Sequence, residues 1–336
     1  MTEFPSNPTP RALWKAYSAG FAGSLCDPED VSRLLGELPH PIFGAAAYEL
    51  DGSGENKISL PFKSLLKFDP GFGPAERQTT GDCVSHATRN AVDVTRAVEI
   101  DIGQEPEEFA LRGATEAIYG SRGHNGQGMS CSRAARFVHD DGGILLRKDY
   151  GFVDLSTYDG NTGHNWGRRG VPNEVAKEGQ KHQVRTVSLI TSWGDARDAL
   201  ANGYALTVCS GLGFSSRRDS NGYAKQKGSW SHAMTFIACN DTREKGGPGL
   251  LVQNSWGHWN GGPKTYDQPD GSFWVTKRTA EQMINARGTW VFSSVDGFPP
   301  RNLPDYGGSL WGYCEYVKYT TTRLARCLHQ PLKLNT

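Results

Sequence analysis

Hydrophobic positions along this chain recur at two different periods, and the change falls near residue 203. Before it, apolar residues return every three or four positions, as on one face of a helix; after it, they alternate or run in short blocks, as in strands. Pro28 to Leu38 reads as an amphipathic helix capped by Asp27, with Glu29 and Asp30 in the first turn, where negative charge meets the helix dipole. From Cys83 to about Ile100, the residues Val84, Ala87, Ala91, Val92, Val94 and Val98 lie at mixed spacings. That pattern predicts a largely buried helix, entered through Gly81-Asp82 and placing Cys83 at its N-terminus. Further helices are expected at Glu105 to Tyr119, Cys131 to His139 and Ser192 to Asn202.

The strand-like runs are Tyr204 to Cys209, His232 to Cys239, Gly249 to Gln253, Ser272 to Lys277 and Thr289 to Ser293. Helices first and strands second argue for an α+β fold in which two unlike halves meet at a cleft. Residues 1–57 are polar and turn-rich and read as an N-terminal extension, residues 58–296 as the main domain, and 297–336 as a C-terminal extension. Arg217-Arg218-Asp219 reads as a solvated hairpin tip.

Composition narrows the function. Lys plus Arg and Asp plus Glu both number 36, so the formal charge is zero and no general attraction to nucleic acid or acidic membranes is expected. A hydrophobic share of 37% suits a globular core, while 41 Gly and 18 Pro favour turns and long ordered loops over a helical bundle. No run approaches the roughly 18 to 20 apolar residues of a membrane span, and Arg11 and Lys15 interrupt any signal-like start. A cytoplasmic or virion-associated location is therefore expected. Seven cysteines with no CxxC pair do not suggest a disulfide framework, and most read as small buried apolar residues. A metal site of Cys314, Cys327 and His329 lacks a fourth ligand at a recognised spacing, so no metal or other cofactor is expected.

One cysteine stands apart. A thiol attacks as thiolate, and a helix N-terminus or a neighbouring imidazolium depresses its pKa. Cys83 has the first by position. His232 opens an apolar strand, where a histidine needs a polar partner, and Asn254 ends another apolar run just before Trp256. The Asn254 amide oxygen could orient the imidazole while Trp256 shields that bond from water. His86, one turn after Cys83, reads as structural.

Taken in order, Gln78-Thr79-Thr80-Gly81-Asp82-Cys83, His232-Ala233 and Asn254-Ser255-Trp256-Gly257 resemble the papain family of cysteine peptidases. Gly123-His124-Asn125-Gly126-Gln127-Gly128 resembles the family's glycine-rich substrate loop, and Phe273 to Arg278 with Trp290 to Ser294 resemble its last strands. The resemblance spans about residues 58–296. It implies a two-lobed fold with a helical N-terminal half and an antiparallel β-rich C-terminal half, and hydrolysis of a peptide or protein substrate through an acyl-thioester.

By the same resemblance Cys83 is the nucleophile, His232 its base and ion-pair partner, and Asn254 the residue that fixes the ring. The Cys83 N–H and the Gln78 amide would hold the oxyanion, although Gln78 stands one residue closer to the cysteine than the family pattern has it. Gly126 and Gln127 would pair with substrate backbone. Met129, Ala233 and Ser293 would border an acid-free pocket for the side chain two residues before the cut, favouring an apolar or aromatic residue there. Val84 replaces the family's usual aromatic, and Thr80 and His124 replace a stapling pair of cysteines, which fits a reducing compartment. The rival reading is a structural component of a larger assembly, such as a virus particle, held through the terminal extensions and using the fold with weak or no catalysis.

Overall fold

A computed structural model of the chain describes residues 24–25, 27–73, 76–104 and 111–306. Two compact units divide at Leu303 and Pro304, and all that follows lies in the first. The strands are β1 (Ser24–Leu25), β2 (Ile58–Ser59), β3 (Met129–Ser130), β4 (Thr186–Leu189), β5 (Leu206–Arg218), β6 (Ala224–Asn240), β7 (Gly249–Gln253), β8 (Ser272–Thr276) and β9 (Thr289–Ser293). The principal helices are α1 (Pro28–Glu37), α2 (Phe62–Phe68), α3 (Cys83–Asp101), α4 (Glu116–Gly120), α5 (Cys131–Arg136), α6 (Gly160–Trp166), α7 (Asn173–Gly179), α8 (Trp193–Ala201) and α9 (Lys277–Ile284). This is the expected α+β order, helical first and antiparallel β second.

Strands β4, β9, β5, β6, β7 and β8 lie side by side in that order, all antiparallel, with β2 pairing the end of β6. β1 runs parallel to β3. Strands β4, β7 and β9 are buried at every residue, the Thr and Ser positions of β4 and β9 included, so both faces of the sheet are covered there. Residues 28–57 and 297–303 add Leu34, Phe43, Leu50 and Phe298 to the core, with the Phe43 and Phe298 rings 4.9 Å apart.

Helix α3 is buried over almost its whole length although it carries Arg89, Asp93, Arg96 and Glu99. Its ionic groups are satisfied laterally. Arg89 meets Glu76 at 2.6 Å, Arg147 meets Glu76 at 2.9 Å and Glu116 at 2.7 Å, and Arg112 meets both Asp93 and Asp69 at 2.7 Å. Burial alone would raise the Glu76 pKa, but Arg89, Arg147, His86 and Arg112 outweigh it and hold the carboxyl well below its ordinary value.

Three expectations are corrected. Cys131 and Cys209 form a disulfide, tying the start of α5 to β5 across 78 residues of sequence, a loop worth about 4.5 kcal/mol in the chain-entropy account. Pair geometry between distant elements is invisible to sequence spacing, and the reducing-compartment argument loses its support. The helix expected over Glu105 to Tyr119 is only Glu116–Gly120 where it is described, because Gly113 instead bridges to Leu146 and donates its N–H to the Asp93 carboxylate. Arg218 is no solvated tip: it is buried and donates to the carbonyl oxygens of Pro263, Gly262 and Ser272 and to Asn260 Oδ1. No helix among the described residues is long and apolar enough to cross a membrane. Trp14, Trp311, Cys314, Cys327 and His329 lie outside the described residues.

Candidate active site

Cys83 is the first residue of α3, as its sequence position implies. Asp82 stands at the N-cap, but its side chain does not cap the helix. Tyr158 draws it away, its hydroxyl donating to Asp82 Oδ2 at 2.8 Å while accepting from the Thr79 N–H at 2.9 Å. Burial first, then the Asp82 charge, push the Tyr158 pKa well above its ordinary value, so the phenol stays a donor. The amides at the start of α3 are thereby left uncapped by a carboxylate, and the positive end of the dipole faces the thiol.

His86 approaches the same carboxylate oxygen, with Nε2 3.4 Å from Asp82 Oδ2 and its ring 4.9 Å from that of Tyr158. Its Nδ1 lies 3.3 Å from Arg89 Nη2. A guanidinium only donates, so Nδ1 accepts and the ring proton is on Nε2. His86 therefore belongs to the charge network under the helix, consistent with its structural reading.

The His232 side is built by β6 and the turn after β7. Thr235 on β6 donates to the Ala87 carbonyl of α3 at 3.1 Å, fastening the strand to the helix near its start. His232 lies three residues earlier, near enough to His86 for the two rings to interact electrostatically. Its Nε2 is 2.8 Å from Asn254 Oδ1. The Ser255 N–H also donates to that oxygen, at 2.7 Å, which fixes the amide's orientation. Nε2 must then carry the proton, leaving the lone pair of the neutral ring on Nδ1. Trp256 lies over the ring at a centroid distance of 4.5 Å, with Trp230 and Trp259 packed behind it. This is the shielding expected from the Asn-Ser-Trp-Gly turn.

An imidazolium at rest is not what this geometry favours. Burial pushes the His232 pKa down to about 3; the Asn254 bond opposes that shift and His86 adds to it. Cys83, His232, Asn254 and Gln78 all expose 0% of their surface.

Gln78 joins the two sides. Its backbone N–H donates to the Ser255 carbonyl at 2.9 Å, its Oε1 accepts from Ser255 Oγ and Trp256 Nε1, and its Nε2 donates to the Thr80 carbonyl at 2.8 Å. Gln127 performs a similar task beside the nucleophile: Oε1 accepts from the Gly81 N–H at 2.6 Å, Thr80 Oγ1 at 2.9 Å and Tyr119 at 3.1 Å. A Cβ on Gly81 would come within 2.6 Å of that oxygen and 2.9 Å of the Gly128 nitrogen, so only glycine fits. Hydrogen bonds thus hold together the loops carrying Thr80 and His124.

Met129 and Ala233 are brought to the same place. Ser85 of α3 contacts Met129 Sδ at 3.3 Å, and Ala233 pairs across the sheet with Cys209, whose disulfide partner follows Met129 by two residues. The Gly126 carbonyl accepts from Arg122 Nε at 3.0 Å. Ser293 is not brought there. On β9 it lies level with Tyr204, whereas His232 pairs with Ser210 on β5, six residues away or about 20 Å along the sheet. The residues that sequence reasoning missed are Glu76, Tyr158, Trp230 and the Cys131–Cys209 pair; none has a short-range pattern, and only the buried charges of α3 hint that counter-ions must exist.

No family model matches the chain, and no curated protein matches it. Solved structures are similar to it at low identity. Xylellain, a cysteine protease from Xylella fastidiosa, is 18% identical over 69% of this chain and 89% of its own, with a TM-score of 0.47. ProCathepsin B S9 from Trypanosoma congolense is 12% identical over 82% and 87%, at 0.49. The proform of the ragweed pollen cysteine protease Amb a 11 is 14% identical over 90% and 84%, also at 0.49.

Proposed function

We propose that this chain is a cysteine peptidase that cleaves peptide bonds with Cys83, His232 and Asn254. The observation that carries the reading is the doubly anchored Asn254 oxygen, which obliges His232 to keep its base nitrogen on Nδ1. Strand β6 is fastened to α3 within a turn of Cys83, so that base serves the thiol at the helix start.

In this reading the Cys83 thiol gives its proton to His232 Nδ1 as Sγ attacks the scissile carbonyl carbon. The Cys83 N–H and the Gln78 amide hold the oxyanion, worth about 3 kcal/mol per donor in such sites. The C–N bond then breaks, the imidazolium returns its proton to the departing amine, and an acyl-thioester remains. Water, deprotonated by the same ring, hydrolyses it and restores the thiol. A neutral resting His232 suits this sequence, because the first step needs a base.

The backbone of Gly126 and Gln127 would align the substrate. Met129, Ala233 and the Cys131–Cys209 disulfide would form the wall facing the side chain two residues before the cut, an acid-free surface that favours apolar and aromatic residues. Digestion of a peptide library read by mass spectrometry tests this: cleavage should follow apolar residues at that position and vanish in Cys83→Ala. Cleavage that survives Cys83→Ala would overturn the assignment.

A further inference from the structure

Arg96 is the anomaly of helix α3. It exposes only 7% of its surface, Nη1 is buried without a hydrogen-bond partner, and among the described residues the side chain makes no ion pair. The other arginines of the charge network around this helix are matched by carboxylates, Arg89 and Arg147 by Glu76, Arg112 by Asp93 and Arg301 by Glu99, while the buried Arg122 and Arg218 are satisfied by backbone carbonyls. A buried guanidinium without a counter-ion costs several kcal/mol, so an unmatched one marks a place where an anion is missing.

Arg96 lines a cavity of about 580 Å³, together with His139, Lys181, His182, Arg185 and Asp296. Arg185 is exposed at its rim. The nearby carboxylates are already engaged: Asp140 by His139, Glu178 by Lys181, and Glu99, one turn further along α3, by Arg301. Asp296 is left against Arg96 and Arg185, so the cavity keeps an excess of positive charge. Its volume falls in the range of small-molecule sites and exceeds what a bare ion needs.

We infer that this cavity is a binding site for a small molecule bearing a tetrahedral oxyanion, a phosphate or sulfate ester, with Arg96 as its buried anchor and Arg185 and Lys181 at its mouth. Guanidinium forks match such oxygens bidentately. Arg96 lies 13 residues after Cys83 on the same helix, about 20 Å away, so the site is separate from the proposed peptidase centre and does not depend on that assignment.

Thermal unfolding and calorimetric titration of the full chain test it, using inorganic phosphate, sulfate, tripolyphosphate and citrate, each against sodium chloride at matched ionic strength. A ligand at about 30 times its Kd should raise Tm by about 3 °C for a body of this size. Phosphate against sulfate distinguishes the two ester classes, and tripolyphosphate should bind more tightly than either. Arg96→Met should weaken binding at least tenfold and, without ligand, unfold no more easily than wild type, since it removes a buried unpaired charge. Should Arg96→Met fail to fold, Arg185→Gln carries the test with an expected loss of at least threefold. Equal effects of chloride and all four anions, preference for citrate, or unchanged binding in these variants would overturn the site.

Discussion

The two sides of the candidate site are made of opposite materials. Beneath Cys83 the helical half is held by buried charges, with Glu76, Asp93 and Glu116 matched to Arg89, Arg112 and Arg147. Behind His232 the β half is aromatic, with Trp230, Trp256, Trp259, Phe214 and Phe273 in successive ring contacts. The difference suits the chemistry proposed for each side. A thiol that must ionise needs fixed positive potential and an uncapped helix start, which a satisfied ionic scaffold can hold rigid; a base that must accept a proton needs its charged form disfavoured until reaction, which desolvation provides. The two buried thiols among the described residues make the same point. Cys239, within the apolar strand β6, has its pKa pushed well above the ordinary thiol value, first by burial and then by Asp241, and should be inert.

That contrast can be broken most forcefully at Arg89. Arg89→Met leaves Glu76 and Asp93 partly unmatched and should cost about 3 to 5 kcal/mol in urea unfolding. Leu251→Met, a volume-conserving change in the β half, should cost less than about 1.5 kcal/mol. Similar costs would erase the proposed difference between the halves. On the catalytic side, His232→Ala should lower peptide cleavage about a thousandfold at unchanged folding, as loss of a general base does. Asn254→Ala should lose only about a tenth to a hundredth as much, because the base survives with a looser ring. Matched losses would instead make Asn254 a folding residue.

Acid separates the halves by window. His232 binds a proton in the unfolded chain below about pH 6.5 but in the folded chain only near pH 3, so the unfolded state holds more protons between these values and stability falls as pH drops. The slope is about 1.4 kcal/mol per pH unit, and it should be absent from the wild-type minus His232→Asn difference if the ring is not desolvated. Glu76, whose folded pKa is depressed, adds stability above its unfolded value near 4.5 that is lost only below it. From pH 7 to 5 the wild-type minus His232→Asn difference therefore reports His232 without Glu76, and it cancels the same-sign contributions of His124, His164 and His182, whose pKa values burial also lowers. The smallest expected effect is at Tyr158. Tyr158→Phe frees Asp82 to turn toward the start of α3, and the added negative charge should move the acid limb of Cys83 alkylation up by about half a pH unit. Asp82→Asn in the same background should restore it, and no movement in either variant would remove Asp82 from the account.

Much of this was legible before any coordinates. The period change near residue 203, the Asp27 cap, the buried helix from Cys83 and the strands at Gly249 and Thr289 are local patterns, and local patterns survive folding. The pairing of His232 with Asn254 follows from motif order. What escaped depends on pairings between distant segments: Cys131 with Cys209, Tyr158 with Asp82, Glu76 with two arginines. Ser293 shows the same limit from the other side, since a residue at the end of the right strand lies about 20 Å from the His232 row once the antiparallel register is set. The resting charge of His232 also escaped, because it is decided by complete burial under Trp256.

The most direct test of the central claim is intact-mass labelling with an epoxide or vinyl-sulfone thiol trap at pH 6, followed over time for wild type, Cys83→Ala and His232→Ala. Wild type should take a single adduct on Cys83. The adduct should be missing in Cys83→Ala and slowed at least a hundredfold in His232→Ala, with Cys239 unlabelled. Labelling of Cys239 as fast as Cys83, or a Cys83 rate indifferent to loss of His232, would contradict the account.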